Sequence, residues 1–242
     1  MLSVIIVNFR SSDLIDDCVQ SLLAASRVPD EIVVVDNAGI DGGLAPALAE
    51  RLPTTIVVHE DNPGYAAACN AGVEAASGDM LLFLNADVRV GADALERCLG
   101  AMDADAGIGA TTCRLVRPDG RLDHAAHRGL PTPLASFAYK LRLDRLAPDS
   151  RRLSRYRMAW LDPGTDHDIE ACSGAFLMTR REVLAATGGW DERYRFYAED
   201  LDLCLRVAQR GYRIRYLGTV DSTHLKGCLL YTSDAADDSS VV

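Results

Sequence analysis

The 242-residue sequence lacks both of the glycine-rich signatures that commonly bind nucleotide phosphates. No G-x-G-x-x-G follows the first apolar run, and no G-x-x-x-x-G-K-[ST] occurs anywhere in the chain. These absences exclude a standard dinucleotide-dependent oxidoreductase and a P-loop ATPase. If the protein binds phosphates, the natural alternative is a divalent metal held by acidic side chains.

The chain also lacks a basic excess, a C-x-x-C pair and a long apolar run. Its formal net charge is −10, whereas a general nucleic-acid-binding protein would normally be basic. The seven cysteines mostly lie among apolar neighbours, which favours reduced, buried thiols in a cytoplasmic protein over a disulfide framework or a zinc site. No run is long enough to span a bilayer, and the opening segment 2–7 is too short for a signal peptide.

What the sequence does contain is an alternation of apolar runs and helical patterns. The length and the 48% hydrophobic content fit one globular domain with a sizeable core. We predict strands at 2–8, 31–37, 55–59 and 80–84, a glycine-rich loop at 39–43, and helices at 44–51 and 65–76. This spacing predicts an α/β fold with a mostly parallel central sheet flanked by helices.

Polar side chains follow three of the predicted strands. Asn8, Asp36 and Asp87 each stand where an apolar run ends. The carboxyl ends of parallel strands meet at one edge of the sheet, and ligands bind there in open α/β folds. We therefore expect these residues to share a crevice.

An acidic stretch at residues 196–206 leads into a predicted helix. Glu199, Asp200 and Asp202 fall within four positions, and Gly211 is a plausible helix stop. Acids at a helix start can cap free N–H groups and complement the helix dipole, or they can carry chemistry. The spacing alone leaves both interpretations open.

The middle of the chain, residues 121–168, has weak periodicity and is predicted to be an insertion that carries specificity. We interpret His124 and His127 as a surface pair rather than a metal site. Basic residues cluster here and could meet a phosphate-bearing acceptor or an anionic membrane, or form a solvated face: Lys140, Arg142, Arg145, Arg151, Arg152, Arg155 and Arg157. Order returns with a predicted strand at 169–179, whose small residues indicate close approach by a ligand or by backbone, and with a late strand at 213–217.

Taken together, these segments resemble the family 2 inverting glycosyltransferases of the GT-A type, especially the bacterial rhamnosyltransferase-like members. The resemblance extends from residue 2 to about residue 226. It is carried by VIIVNF at 4–9, VDN at 35–37, NPGYAAACNAG at 62–72, LFLNAD at 82–87, SGA at 173–175, GGWDE at 188–192 and EDLDLCLR at 199–206.

The resemblance implies a GT-A, Rossmann-like nucleotide-diphospho-sugar transferase fold. It implies transfer of a sugar, with L-rhamnose as a candidate, from a nucleotide diphosphate donor to a lipid-linked or saccharide acceptor in cell-surface polysaccharide assembly. The protein would work in the cytoplasm, with peripheral contact at the inner face of the plasma membrane as one option. An inactive nucleotide-sugar-binding module or truncated fragment is the alternative. A nucleotidyltransferase would usually carry a glycine-rich, basic loop after the first strand, and residues 9–13 do not form one.

The resemblance also implies roles for individual residues. Asp36 matches the acid that hydrogen-bonds the nucleotide base. Asn85 and Asp87 match a D-x-D motif in which asparagine replaces the first acid, and Asp87 would bind Mg²⁺ or Mn²⁺ at the donor diphosphate. Further nucleotide-sugar contacts are expected from Asn8, Asn37, Asn62, Gly64, Asn70, Asn85, Ser173, Gly174, Trp190, Asp191 and Glu192.

Three more residues complete the implied site. Asp200 matches the general base that takes the proton of the acceptor hydroxyl, and Glu199 would support it in catalysis. His224 matches a family histidine placed near the metal. We therefore expect Asp87 and His224 to be the metal ligands.

The C-terminal segment 228–242 departs abruptly from the family pattern. It resembles the conceptual translation of a transposon-end sequencing adaptor. We therefore expect a glycosyltransferase domain at 1–227, shortened at its C-terminus, followed by a non-native tail. The coding DNA tests this expectation directly.

Overall fold

A computed structural model describes residues 1–9, 12–37, 52–195 and 197–226, apart from the side chains of residues 12 and 13. The described strands are β1 (Leu2–Asn8), β2 (Glu31–Asp36), β3 (Thr54–Val58), β4 (Met80–Asn85), β5 (Val88–Arg89), β6 (Ile108–Val116), β7 (His167–Ile169), β8 (Phe176–Arg180) and β9 (Arg213–His224). The helices are α1 (Ser12–Leu23), α2 (Tyr65–Ala75), α3 (Ala94–Ala104), α4 (Pro133–Lys140), α5 (Leu143–Leu146), α6 (Arg181–Thr187) and α7 (Glu199–Gln209), with a 3₁₀ turn at His124–Ala126. The predicted loop at 39–43, the predicted helix at 44–51 and the C-terminal tail lie outside the described residues.

All of these strands join one sheet. Its order is β3-β2-β1-β4-β8-β6-β9-β5, and β7 pairs with β9. The first four strands are parallel, as the sequence predicts. Beyond them the sheet is mixed, because β8 runs antiparallel to both β4 and β6. The predicted α/β class is confirmed: residues 2–85 supply the all-parallel part of the sheet, and β6 and β9 form a further parallel pair.

The apolar runs of β1, β2 and β4 are buried on both faces of the sheet. Val4 and Ile6 pack towards α1 and α3 on one face, and Ile5 packs towards α2 on the other. Strands covered on both faces are expected to be continuously apolar, which explains why these runs do not alternate. The six cysteines of the described chain are free and buried, as expected, and Cys228 lies outside the described residues.

One predicted strand proves to be two. The run at 169–179 is divided between β7, which ends at Ile169, and β8, which begins at Phe176. The intervening Ser173–Ala175 segment turns where Gly174 meets the Tyr65 ring; a Cβ on Gly174 would lie 3.0 Å from that ring. The sequence predicts close approach by a ligand or by backbone, whereas the group that approaches Gly174 is the Tyr65 side chain, and the strand is interrupted there.

The interpretation of His124 and His127 as a surface pair is wrong for His127. His124 is exposed, but His127 is only 2% exposed and its Nε2 lies 2.8 Å from Nε2 of His167. The 3₁₀ turn ends at Ala126, so that His127 adopts an extended conformation and packs edge-on against Tyr216. Burial, together with the neighbouring His167, lowers the pKa of His127 to about 4.

None of the described helices combines the length and the apolar character that crossing a bilayer requires.

Candidate active site

The carboxyl ends of β1, β2 and β4 lie side by side. The strand register pairs Asn8 with Asp36 and Val7 with Asn85. The side-chain amide of Asn8 donates to Oδ1 of Asp36 over 3.2 Å, and both residues are almost fully buried. The structure thus brings the polar strand ends to one edge of the sheet, which is the usual ligand-binding edge of an α/β fold.

Next to Asp36, Asn37 anchors the turn at 62–64. Its amide donates to Oδ1 of Asn62 over 3.2 Å and to the carbonyl of Gly64 over 3.3 Å. Gly64 has φ +105°, and a Cβ there would lie 2.6 Å from a backbone oxygen, so only glycine fits. His59 also joins this group, since its Nδ1 lies 2.9 Å from Oδ1 of Asn37. No sequence motif marks His59 as a site residue.

Asp87 lies just beyond β4 and meets the end of β9. Its Oδ1 is 3.3 Å from Nε2 of His224, and both side chains are buried. The other ring nitrogen, Nδ1, lies 2.7 Å from Oδ2 of Asp123, whose Oδ1 is 3.1 Å from Nζ of Lys226. The structure therefore brings together the two predicted metal ligands and adds Asp123 behind the histidine.

The pKa values of Asp123 and His224 are set mainly by contacts between charged side chains. Burial alone would raise the pKa of Asp123, but His224 and Lys226 hold it well below its usual range. Burial alone would lower the pKa of His224, but the hydrogen bonds to Asp123 and Asp87 raise it to about 9.

The donor set of Asp87 and His224 fits a divalent cation bound jointly with a ligand. A carboxylate oxygen and an imidazole nitrogen 3.3 Å apart can bind one ion once Nε2 has released its proton, and Asp123 would orient the imidazole as carboxylates commonly do behind metal-bound histidines. Within the described part of the chain, no three His, Cys, Asp or Glu side chains are arranged to hold an ion alone. Mg²⁺-type sites commonly take their remaining ligands from substrate phosphates and water.

Asp200 lies in the first turn of α7, at the same edge of the sheet. Its Oδ2 accepts a hydrogen bond from Arg128 over 2.7 Å and faces the N–H of Gly174 at 3.4 Å. Its Oδ1 accepts from the N–H of Leu201 over 2.7 Å. The Asp200 side chain is 13% exposed, so the carboxylate is held firmly yet still open to solvent. Capping and catalysis thus remain compatible for this residue.

Glu199 has a different environment from its neighbour. Its Oε2 is buried and has no hydrogen-bond partner among the described residues. Burial, reinforced by the charge of Asp200, raises the pKa of Glu199 to about 7. Of the two acids, Asp200 accepts hydrogen bonds from several donors. Glu199 is the acid whose raised pKa favours the protonated, neutral form.

The Ser173–Ala175 segment forms one wall beside Asp200. The Tyr65 hydroxyl donates to the carbonyl of Gly174 over 2.7 Å, and the N–H of Asn85 donates to the carbonyl of Ala175 over 3.0 Å. The segment that contains the predicted residues Ser173 and Gly174 is therefore hydrogen-bonded to Asn85, at the end of β4 that leads to Asp87. Tyr65, on α2, ties this wall to the Gly64 turn.

Asn70 fastens α2 to the loop at 189–192. Its amide donates to the carbonyl of Trp190 over 2.9 Å and to Glu192 over 2.8 Å, and its Oδ1 accepts from the N–H of Trp190 over 3.0 Å. Asn70 and Glu192 line a depression of about 500 Å³ that neither Asp87 nor Asp200 lines. His59 and Pro63, which adjoin the Asn37–Asn62–Gly64 turn, line the same depression.

Trp190 packs in the core. It is 2% exposed, and its ring meets Phe83 and Tyr65 edge-on with centroids 4.9 and 5.6 Å away. The Trp190 ring packs against Gly174, so any stacking of a sugar on this ring would have to take place across Gly174. Asp191 forms an ion pair with Arg193, and this hydrogen bond lowers the pKa of Asp191 to about 2.

The chain is similar in sequence to known proteins that transfer sugars. The sequence model described as Glycosyl transferase family 2 matches residues 3–187. The sequence is 26% identical over 238 residues to an N-acetylglucosaminyl-diphospho-decaprenol L-rhamnosyltransferase of Mycobacterium tuberculosis, covering 93% of this chain and 76% of the relative. It is 29% identical over 218 residues to the O-antigen biosynthesis protein RfbC of Myxococcus xanthus, covering 87% of this chain and 16% of the relative.

The fold is shared with solved structures. GalNAc-T7 bound to UDP, GalNAc and Mn²⁺ superposes with a TM-score of 0.67 at 17% identity, covering 93% of this chain and 44% of that one. The mannosyltransferase PcManGT of Pyrobaculum calidifontis, bound to GDP-Man and Mn²⁺, gives a TM-score of 0.65 at 21% identity, covering 94% and 58%. The chain thus spans about half the length of these proteins. A GT-A fold with an acidic strand edge defines the class, and the chain belongs to glycosyl transferase family 2.

Proposed function

We propose that the protein transfers a sugar from a nucleotide diphosphate donor to an acceptor hydroxyl, with inversion at the anomeric carbon and Asp200 as the general base. The observation that carries this proposal is the position of Asp200. It is held by Arg128 and Gly174 at the sheet edge where β4 ends in Asn85 and leads to Asp87. A base must be within reach of the proton that it removes, and this edge is where the donor would bind.

The chemistry balances with one base and one leaving group. A carboxylate oxygen of Asp200 takes the proton of the acceptor hydroxyl as that oxygen forms its bond to the anomeric carbon. The bond from that carbon to the nucleotide diphosphate breaks, and its electron pair leaves with the diphosphate. A direct displacement of this kind inverts the anomeric centre.

The donor would be held along the ends of β1, β2 and β4. Asp36 and Asn8 would contact the nucleotide base of the donor. The Asn37–Asn62–Gly64 turn would shape the part of the crevice that holds the nucleoside. The firm hydrogen bonds within this turn support such a role, because preorganised groups lose less entropy on binding.

Asp87 and His224 would hold Mg²⁺ or Mn²⁺ against the donor diphosphate, where the cation supplies positive charge to the leaving group. The pairing of these two side chains and the orientation of His224 by Asp123 support this assignment. The Mn²⁺ and nucleotides bound to GalNAc-T7 and PcManGT support it by analogy.

The relatives suggest which sugar and which acceptor. The Mycobacterium tuberculosis protein is an L-rhamnosyltransferase acting on a diphospho-decaprenol substrate, and a WbbL rhamnosyltransferase of Escherichia coli is 27% identical over 150 residues. We infer L-rhamnose as the donor sugar, a lipid-linked saccharide as the acceptor and cell-surface polysaccharide as the product pathway.

A donor panel tests the proposal. Nucleotide sugars, dTDP-L-rhamnose among them, are screened with and without Mn²⁺ for thermal stabilisation and for slow release of the nucleoside diphosphate. We expect at least one donor to stabilise the protein in a metal-dependent way and to be turned over. Nucleotide binding without any turnover, across the panel and with saccharide acceptors added, would overturn the proposal in favour of a binding module.

A further inference from the structure

We propose that the segment 133–152, which we name the basic hairpin, docks the protein on an anionic lipid surface. The hairpin comprises α4, α5 and the residues that follow α5. It presents bulky apolar side chains to solvent and surrounds them with unpaired basic side chains.

Four large apolar side chains of the hairpin are exposed. Leu134, Phe137 and Leu141 are 52%, 58% and 54% exposed, and Leu146 is 82% exposed. Leu134 and Phe137, at i and i+3, lie on one face of α4, and Leu141 directly follows the helix as its C-cap residue. The inward face of the same helix is made by Ala135 and Ala138, which are fully buried. The helix therefore packs on the domain through alanines, and its larger apolar side chains are not needed for that packing.

The hairpin is anchored to the domain, which means that its exposure is built into the fold. Asp144 is buried and forms an ion pair with Arg157 at 3.1 Å. The Ser154 hydroxyl donates to the carbonyl of Ala147 over 2.7 Å and closes the base of the segment. A rigid helix that presents leucine and phenylalanine to water is costly unless another surface covers it.

The charge of the hairpin is opposite to that of the whole chain. Five basic side chains of the segment are exposed, and the only exposed acid between residues 133 and 152 is Asp149. In the described part of the chain, none of these five has a carboxylate within ion-pair distance: Lys140, Arg142, Arg145, Arg151 and Arg152. A local net positive charge on a chain of net charge −10 marks a surface for an anionic partner.

An anionic membrane satisfies both features at once. Apolar side chains on one face of a helix insert at the boundary between headgroups and acyl chains, and the surrounding Lys and Arg side chains meet the acidic headgroups. A second copy of the hairpin would match the apolar side chains, but it would place like charges opposite each other. The combination of an apolar face and a basic rim therefore favours lipid over self-association.

The hairpin is also connected to Asp200. The Tyr139 ring, on α4, lies 4.8 Å from the ring of Tyr156, and Tyr156 interacts with the Arg128 guanidinium that binds Asp200. Docking through α4 would bring this end of the crevice to the membrane, where a lipid-linked acceptor would present its hydroxyl. This connection rests on the proposed function, whereas membrane docking itself does not.

Vesicle co-sedimentation tests the inference without any donor or acceptor. The full chain is mixed with vesicles of phosphatidylcholine alone or of phosphatidylcholine with phosphatidylglycerol, at low and at high salt. The test variants are Leu134→Ser/Phe137→Ser and Arg142→Glu/Arg145→Glu. The matched controls are Val58→Ser, which removes an apolar side chain of similar exposure from β3, and Arg121→Glu, which reverses an exposed charge elsewhere.

We expect binding to the anionic vesicles only, weakened by salt. Loss of each basic residue should lower the partition coefficient by about fivefold, so the double charge reversal should lower it by at least about 25-fold. The controls should bind as the unmodified chain does. Absence of binding to anionic vesicles, equal binding to both vesicle types, or equal binding by the hairpin variants would each overturn the proposal. Concentration-dependent dimerisation without vesicle binding would overturn it in favour of a second copy.

Discussion

The guanidinium of Arg128 donates to Oδ2 of Asp200 over 2.7 Å, and this contact joins residues that are 72 positions apart in the chain. Arg128 is 9% exposed and also borders the Tyr156 side chain. Since a buried guanidinium and a carboxylate form a strong, directional hydrogen bond, Arg128 fixes the direction in which Asp200 points. We therefore interpret Arg128 as a positioning residue for the proposed base.

Replacement of Arg128 should affect turnover more than donor binding. We expect Arg128→Met to lower kcat by at least about tenfold, because the freed carboxylate loses its orientation towards the acceptor. The donor dissociation constant, measured by calorimetry, should change by less than about twofold, since Arg128 binds the proposed base rather than the turn proposed to hold the nucleoside. Arg128→Lys should restore part of the loss. Equal losses in kcat and donor affinity, with no rescue by lysine, would contradict the positioning role.

The raised pKa of Glu199 predicts a pH-dependent contribution to stability. The folded protein keeps the Glu199 proton up to about pH 7, whereas the unfolded chain releases it near its ordinary value of 4.5. The contribution of protonated Glu199 is therefore fully present below pH 4.5 and is lost as the pH rises through about 7.

Glu199→Gln should remove this loss. We expect the variant to be more stable than the unmodified chain by about 1–3 kcal/mol near pH 8, and equally stable near pH 4, in urea unfolding experiments. Glu182→Gln, at an exposed position on α6, should leave the pH profile unchanged. Parallel pH profiles for Glu199→Gln and the unmodified protein would show that Glu199 is not held near neutrality.

Asn70 should be a structural residue. Removal of its amide leaves the N–H and the carbonyl of Trp190 without their partners. We expect Asn70→Ala to lower the free energy of unfolding by about 2–3 kcal/mol, because buried polar groups that lose their hydrogen bonds are destabilising. Gln20→Ala, at an exposed position on α1, should change stability by less than about 0.5 kcal/mol. A neutral Asn70→Ala substitution would contradict this interpretation.

The metal assignment predicts a graded loss of cation-dependent stabilisation. With a nucleoside diphosphate present, Mn²⁺ should raise the melting temperature of the unmodified chain. Asp87→Asn should abolish the rise. Asp123→Asn should weaken the apparent Mn²⁺ affinity by about 10–100-fold, because Asp123 binds His224 and would orient it as a ligand. Asp103→Asn, at an exposed position on α3, is the matched control. A full Mn²⁺ response in Asp87→Asn would refute the assignment.

The parallel strands β1 to β4 could be predicted from sequence, because each is marked by a pattern within its own short segment. Buried strands such as β1 and β4 are continuous apolar runs, and the polar residues at their ends, Asn8 and Asn85, mark the edge of the sheet at which α/β folds usually bind ligands. The antiparallel entry of β8 could not be inferred, because strand direction depends on where the chain returns after the insertion. Resemblance to the family supplied the choice of Asp200 over its neighbours.

The sequence did not reveal Arg128 and Asp123, because both contact residues that are far away in the chain. Arg128 and Asp123 lie in the irregular segment 121–168, where no periodicity marks an inward side. Their partners, Asp200 and His224, are 72 and 101 positions away. Asp123 did offer one local signal, since an aspartate before a short helix is a typical N-cap, and its carboxylate does face the N–H of Ala125.

The most direct measurement compares Asp200→Asn with Asp202→Asn in a transfer assay, with donor binding measured in parallel. Both acids lie in the first turn of α7, but Asp202 pairs with Arg206 at 2.6 Å, whereas Asp200 pairs with Arg128 and faces the N–H of Gly174. We predict that Asp200→Asn lowers transfer by about 10²–10⁴-fold with donor affinity nearly unchanged, since the amide cannot accept the proton, while Asp202→Asn stays active. Full transfer by Asp200→Asn, or an equal loss in both variants, would contradict the assignment of Asp200 as the general base.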